Sequence, residues 1–310
     1  MQIGSGDFSY EWIDNWATIP DTDSGRANGR THGVVVNDDG HVYVFNQAHP
    51  GVLEYDADGK LVNSWGDRFG GAHGMTLVKE EGEEYLWLTD QESAEVVKTT
   101  LDGKTVQNIQ KPDHHVYHEA KYVPTWVAVN EKRFGGNGDI WVTDGYGSSH
   151  IHRYDQAGNY IQSINGEEGK AGAFACPHGV MFSYRGPAPE LYIADRSNKR
   201  IQVYDAEGNY RRVVENTVHS PCGFVFQGDY CYIPELFAGV KILDRDDNVA
   251  ANLGDNQAVT KVEGWPDLAG TEHVQPGRFN SPHGIAVAEN GDIFVVEWII
   301  GGRITKLRKV

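Results

Sequence analysis

The chain has 310 residues, with 27 Lys plus Arg against 44 Asp plus Glu, for a formal net charge of −17 at pH 7. That carboxylate excess repels phosphate backbones and anionic lipid, which excludes nucleic acid and membrane surfaces as partners. The three cysteines, an odd number without framework spacing, argue against a disulfide scaffold, and no stretch approaches the ~20 apolar residues of a membrane span.

In chain order, residues 1–7 lack a basic region followed by an apolar run, so no secretory leader is expected and the expected compartment is the cytoplasm. Residues 8–19 are apolar and belong to no unit of their own. From residue 31 a unit recurs six times, opening at Thr31-His32-Gly33, Ala72-His73-Gly74, Pro124-Thr125-Trp126, Pro177-His178-Gly179, Pro221-Cys222-Gly223 and Pro282-His283-Gly284. The spacing stays within the roughly 40–60 residues of a propeller blade. Each opening leads into a short apolar run, such as 75–78, 180–182 and 285–287. A second run follows (42–45, 85–89, 140–143, 191–194, 230–233, 293–296) and ends on Asn46, Asp90, Asp144, Asp195 or Glu297, or just before Glu235. A third run, such as 151–154 or 201–204, meets a turn rich in Asp, Gly and Asn (56–59, 102–103, 155–158, 205–208), and a fourth run closes the unit.

Short alternating strands between turn signals predict four-stranded antiparallel blades. The expected fold is therefore all-β, a six-bladed β-propeller occupying residues 1–310 as one domain. The last unit stops after its third strand at 303–307, so residues 8–19 are expected to supply its missing outer strand and remove an exposed edge. The longest inserts, 110–123 and 255–280, each precede an inner strand.

His73, His178 and His283 occupy one register in every second unit. In a closed ring such blades lie one third of a turn apart, so three imidazoles converge with a fourth direction open, the ligand set of a catalytic zinc. Thr125 and Cys222 fill the same register, so the fold itself does not demand histidine there. The alternative is a turn signature in which histidine caps a strand entry and glycine supplies the torsion. In an antiparallel blade the start of the first strand and the end of the second share one end. The histidines therefore share a face with Asp144-Gly145-Tyr146 and Asp195-Arg196. The recurring acid at the end of the second strand reads as an acceptor that fixes the following loop. His114, His115 and His118, within the long insert, read as solvated.

These residues resemble a known family. The repeats resemble NHL repeats, and the central part resembles the peptidyl-α-hydroxyglycine α-amidating lyases. The resemblance is carried by Pro124-Thr125 with Val127-Ala128-Val129, by Val142-Thr143-Asp144-Gly145-Tyr146, by Pro177-His178, and by Ala194-Asp195-Arg196-Ser197-Asn198 with Arg200-Ile201-Gln202. It implies a zinc ion on His73, His178 and His283, a catalytic Tyr146, a catalytic Arg196, and a second arginine from the first blade, Arg30 or Arg26. The implied substrate is a small carbinolamide. Zinc acidifies its hydroxyl, a tyrosine of lowered pKa accepts the proton, and arginine holds a carboxylate.

The chain departs from the family in three places: Gly147 replaces a family cysteine, Gly284 replaces the acid of the family's calcium site, and His32 is additional. His32 reads as a fourth ligand, a base, or a hydrogen-bond partner of a ligand. Two other functions fit the same residues. One is a different metal-dependent hydrolase, lyase or epimerase acting on a small or sugar-like substrate; gluconolactonase-like propellers use calcium on carboxylates and amides, whereas histidines select a softer ion. The other is a non-catalytic NHL scaffold that binds a protein partner.

Overall fold

A computed structural model describes residues 1–310. Its strands form six antiparallel sheets, five of four strands and one of five, with consecutive strands adjacent except where an N-terminal strand pairs with the last one. This is the construction of a six-bladed β-propeller. By internal packing the chain divides into two compact units, one of Met1–Ala72 with Val225–Val310 and one of His73–Phe224.

The unit His73–Phe224 holds the second, third and fourth blades. The third runs Trp126–Val129, Ile140–Asp144, His150–Tyr154 and Tyr160–Ile164, and the fourth Pro177–Ser183, Glu190–Asp195, Arg200–Asp205 and Tyr210–Val214. The second strands differ from the alternating pattern expected: Ile140–Asp144 is buried at all its positions. A strand covered on both faces by neighbouring blades reads as a continuous apolar run. Trp126, Trp141, Phe174, Ile193 and Tyr204 form one cluster between the third and fourth blades. Trp141 is fully buried there, and a Trp→Ala cavity costs ~3–5 kcal/mol. The turn after the third strand is set by its aspartate: Asp205 Oδ1 accepts from the amides of Glu207 (3.0 Å) and Asn209 (2.8 Å). Gly208 supplies the φ of +90° that this turn requires.

The other unit holds the fifth, sixth and first blades. The expected outer strand of the sixth blade is Tyr10–Ala17, paired antiparallel with Arg303–Lys309 through Tyr10↔Lys309 and Trp12↔Leu307. Trp12 anchors it against Phe279, with ring centroids 4.6 Å apart. Two features were not expected. Gln2–Ile3 adds a fifth strand to this sheet, and Asp23–Asn28 is a short helix capped by Thr22, whose side chain accepts from the Gly25 amide. No helix is long and apolar enough to cross a membrane.

Candidate metal centre

The His-Gly pair is a clearance device. His73 Nδ1 lies 2.8 Å from the carbonyl of Thr125, His178 Nδ1 2.7 Å from that of Cys222, and His283 Nδ1 3.1 Å from that of His32. In each case the carbonyl belongs to the residue at the same register in the next blade. The following glycine makes that approach feasible: a Cβ on Gly74 would sit 2.4 Å from the Thr125 oxygen, on Gly179 2.2 Å from the Cys222 oxygen, and on Gly284 2.4 Å from the His32 oxygen. None of the three glycines has positive φ, so glycine supplies space here and not torsion, which corrects the turn-signature alternative.

A carbonyl only accepts, so each Nδ1 carries the proton, and in the neutral ring Nε2 keeps the lone pair. This arrangement fixes the tautomer and orientation of ligating histidines generally. His73 and His178 are fully buried. Burial is the largest influence on His73 and holds its pKa down at about 3, against the Thr125 carbonyl and with the help of the Arg196 charge, so the ring is neutral.

Within the unit His73–Phe224 these two rings meet Tyr146 and Arg196. The ring centroids of His73 and His178 are 4.7 Å apart. Tyr146 Oη stands 3.2 Å from His73 Nε2 and 3.0 Å from His178 Nε2. Two lone pairs thus converge on one phenol oxygen, which has one proton to give. Converging neutral imidazole nitrogens are a donor set suited to a zinc-type ion.

Arg196 donates to Tyr146 Oη at 3.3 Å and to Cys176 Sγ at 3.4 Å, with its guanidinium 5.3 Å from the Tyr146 ring centroid. It does not pair with Asp195, which is bound by Arg200 at 2.7 Å. Tyr146 as a residue is 40% exposed while its hydroxyl end reaches inward. Desolvation outweighs Arg196 and pushes its pKa up to about 12, so Arg196 by itself does not supply the lowering expected of a tyrosine beside both a zinc and an arginine. Cys176, at φ +58°, was not singled out from the sequence; the pairing of Pro177 with Asp195 sets it opposite Arg196.

In the other unit, His32 and His283 are each 2% exposed, with ring centroids 4.3 Å apart, and their ligand nitrogens lie within 4.8 Å. Arg30 donates to Asp267 Oδ2 at 2.7 Å and lies 5.6 Å from the Trp298 ring centroid. Arg26 instead points outward and pairs with Asp21 and Asp23. Of the two arginines considered, Arg30 is therefore the one held in place. In the long insert, His115 and His118 are exposed as expected, whereas His114 packs against His115 and His150.

No family model matches the chain. A probable peptidyl-α-hydroxyglycine α-amidating lyase of Caenorhabditis elegans is 29% identical over 210 residues, covering 57% of this chain and 56% of that protein. Human NHL repeat-containing protein 3 is 26% identical over 230 residues, covering 67% and 62%. The chain spans about half the length of the curated relatives it matches. Among solved structures, a streptogramin B lyase superposes with a TM-score of 0.60 at 13% identity, covering 98% of this chain and all of that one. A gluconolactonase of Xanthomonas campestris gives 0.63 at 12% identity, covering 99% and 94%. At those identities the structures establish the fold alone. The chain is a six-bladed β-propeller whose sequence relatives include peptidyl-α-hydroxyglycine α-amidating lyases and NHL repeat-containing proteins.

Proposed function

We propose that this protein is a metal-dependent lyase that cleaves a small α-hydroxy, carbinolamide-like substrate into an amide and glyoxylate or a related aldehyde. His73 and His178 hold a zinc-type ion. His283 carries the same Nδ1-to-carbonyl signature and is assigned to the ligand set by its repeat register. That repeated signature carries the reading: three histidines, each locked in one tautomer by a carbonyl and a clearance glycine, keep Nε2 as the ligand atom. When bound, the ion supplies Lewis acidity that lowers the pKa of a substrate hydroxyl and of a neighbouring phenol.

The chain's own residues do the rest. Tyr146 Oη, within 3.2 Å of both Nε2 atoms, is the group through which the hydroxyl proton passes. Departure of the amide nitrogen, with its proton restored, leaves the carbonyl product. Arg196, whose NH2 reaches Tyr146 Oη, holds the substrate carboxylate and favours the phenolate. Arg30, fixed by Asp267, is the second arginine, and His32, against His283, supports that ligand. A non-catalytic scaffold has no use for this construction.

The test is metal content of the purified protein together with glyoxylate release from an α-hydroxyglycine amide. One ion per chain, lost on substitution of His73, His178 or His283 by alanine, is expected. Tyr146→Phe should keep the metal and lower kcat by roughly 10²–10⁴-fold. Arg196→Ala should act mainly on KM. Full metal without glyoxylate would sink the lyase assignment and spare the metal site; stoichiometric metal in the triple histidine variant would sink both.

A further inference from the structure

We propose that Cys222 ligates the same ion, which makes the donor set a mixed nitrogen–sulfur one that the substrate hydroxyl joins as a fifth donor. The inference rests on the metal reading above and adds a residue that the three-histidine pattern leaves out. Cys222 occupies the histidine register in the fifth repeat, between Pro221 and Gly223 as His178 lies between Pro177 and Gly179. It is fully buried, and its carbonyl is the one that fixes His178. Its Sγ lies within 4.8 Å of the His178 ligand nitrogen. Zinc-type ions hold nitrogen at ~2.0–2.1 Å and sulfur at ~2.3 Å, so a tetrahedral pair sits roughly 3.5–3.7 Å apart, inside that bound.

Two further observations describe the surroundings of the thiol. Cys222 is close enough to act electrostatically on both Tyr146 and Arg196. Its Sγ also lies a long 3.9 Å from the Ser220 carbonyl. Thr125, at the same register within the same unit, behaves differently: its hydroxyl meets Thr143 Oγ1 at 2.9 Å and Pro177 O at 3.3 Å, committed to the blade. On ligation the thiol releases its proton as the sulfur takes the metal, RSH + M²⁺ → RS–M⁺ + H⁺, and Arg196 stands near enough to offset the thiolate charge. A thiolate also selects zinc, cobalt or cadmium over calcium and magnesium.

The experiment loads the purified full chain with cobalt(II) and reads its optical spectrum. A near-ultraviolet sulfur-to-cobalt charge-transfer band is expected in the wild type and in Cys176→Ser. It should vanish in Cys222→Ser, which keeps its visible d–d bands. Bound cobalt without that band in the wild type, or a band that survives Cys222→Ser, overturns the proposal while the histidine site stands. Failure to bind cobalt or zinc at all removes the metal reading and this inference with it. If Cys222→Ser does not fold, cadmium NMR of the wild type decides: a strong downfield shift reports sulfur ligation, and a shift typical of all-nitrogen ligands overturns it.

Discussion

The third and fourth blades place a buried aspartate at the same point and meet its charge in opposite ways. Asp195 pairs in register with Arg200 and is bound by that guanidinium at 2.7 Å, by Asn198 Nδ2 at 2.9 Å, by Gln202 Nε2 at 3.2 Å and by the Ala175 amide at 2.8 Å. Asp144 pairs in register with His150 and is met by neutral donors: Tyr117 Oη at 2.7 Å, Ser148 Oγ at 2.6 Å, and the amides of Ser148 (2.8 Å) and Val123 (2.6 Å). Both carboxylates fix the loop that follows them, and those two loops present Arg196 and Tyr146. The fourth blade builds its loop around an ion pair. The third builds it around hydroxyls and amides, two of them delivered by the insert ahead of the blade, and backs them with histidines.

The largest difference should appear on removing the carboxylate from the ion pair. Asp195 is fully buried and the Arg200 side chain only 14% exposed. Asp195→Ala leaves the Arg200 charge without its carboxylate, with only backbone carbonyls to accept from it, and should cost ~3–5 kcal/mol, read as a lowered urea midpoint. A loss under ~1 kcal/mol would show that the ion pair does not hold this loop.

Tyr117→Phe probes the neutral version and should cost less. It removes one donor to Asp144 and also the oxygen that lies 2.5 Å from His152 Nε2, while three donors to the carboxylate remain. A hydrogen bond to a charged group is worth ~1.5–3 kcal/mol, so the urea midpoint should fall by about that equivalent. If Tyr117→Phe proves as costly as Asp195→Ala, the two blades are equivalent and the contrast between them is broken.

Much of this fold is periodic in the chain and was legible there. The second-strand acids, the Asp-Gly turns and the incomplete sixth repeat each carry a local signal, and the last of these identified Tyr10–Ala17 as a closing strand. The His-Gly register was visible as well, but its reason was not. Glycine is needed because of a carbonyl brought in by the next blade, a distance no spacing rule contains. Tyr117 was hidden for a similar reason. It lies in an insert without periodicity, and only the folded chain brings it to Asp144. At Tyr146 the nearby residue types announce the positive charge of Arg196, whereas the desolvation that opposes it depends on three-dimensional burial.

The smallest effect at neutral pH, and the most specific, concerns His152. It occupies the position that Gln202 holds in the fourth blade, two residues beyond the register partner of the acid. Tyr117 donates to Asp144, so His152 Nε2–H donates to Tyr117 Oη, and its Nδ1 accepts from Ser163 Oγ at 2.7 Å. The ring is neutral and fully buried. Burial, followed by the charges of His150 and His114, lowers its pKa to about 3, and the groups facing it from the insert are Tyr117, Tyr122 and His114. An unfolded histidine titrates near ~6.5. Between that value and about 3 the unfolded chain binds the extra proton, so stability rises with pH across this window and is lost as pH falls through it. The slope from one such group is at most ~1.4 kcal/mol per pH unit. His152→Gln keeps a donor for Tyr117 and an acceptor for Ser163, so it should change stability at pH 7 by under ~1 kcal/mol. It cannot take up the proton, and the depressed titration of His73 is common to both proteins and cancels in their difference. Urea midpoints at descending pH should therefore converge on, then cross to favour, the glutamine variant below the histidine range. Parallel curves would show that His152 is already charged in the fold or that its burial is relieved by water, and the third blade would then be no more sensitive to acid than the fourth.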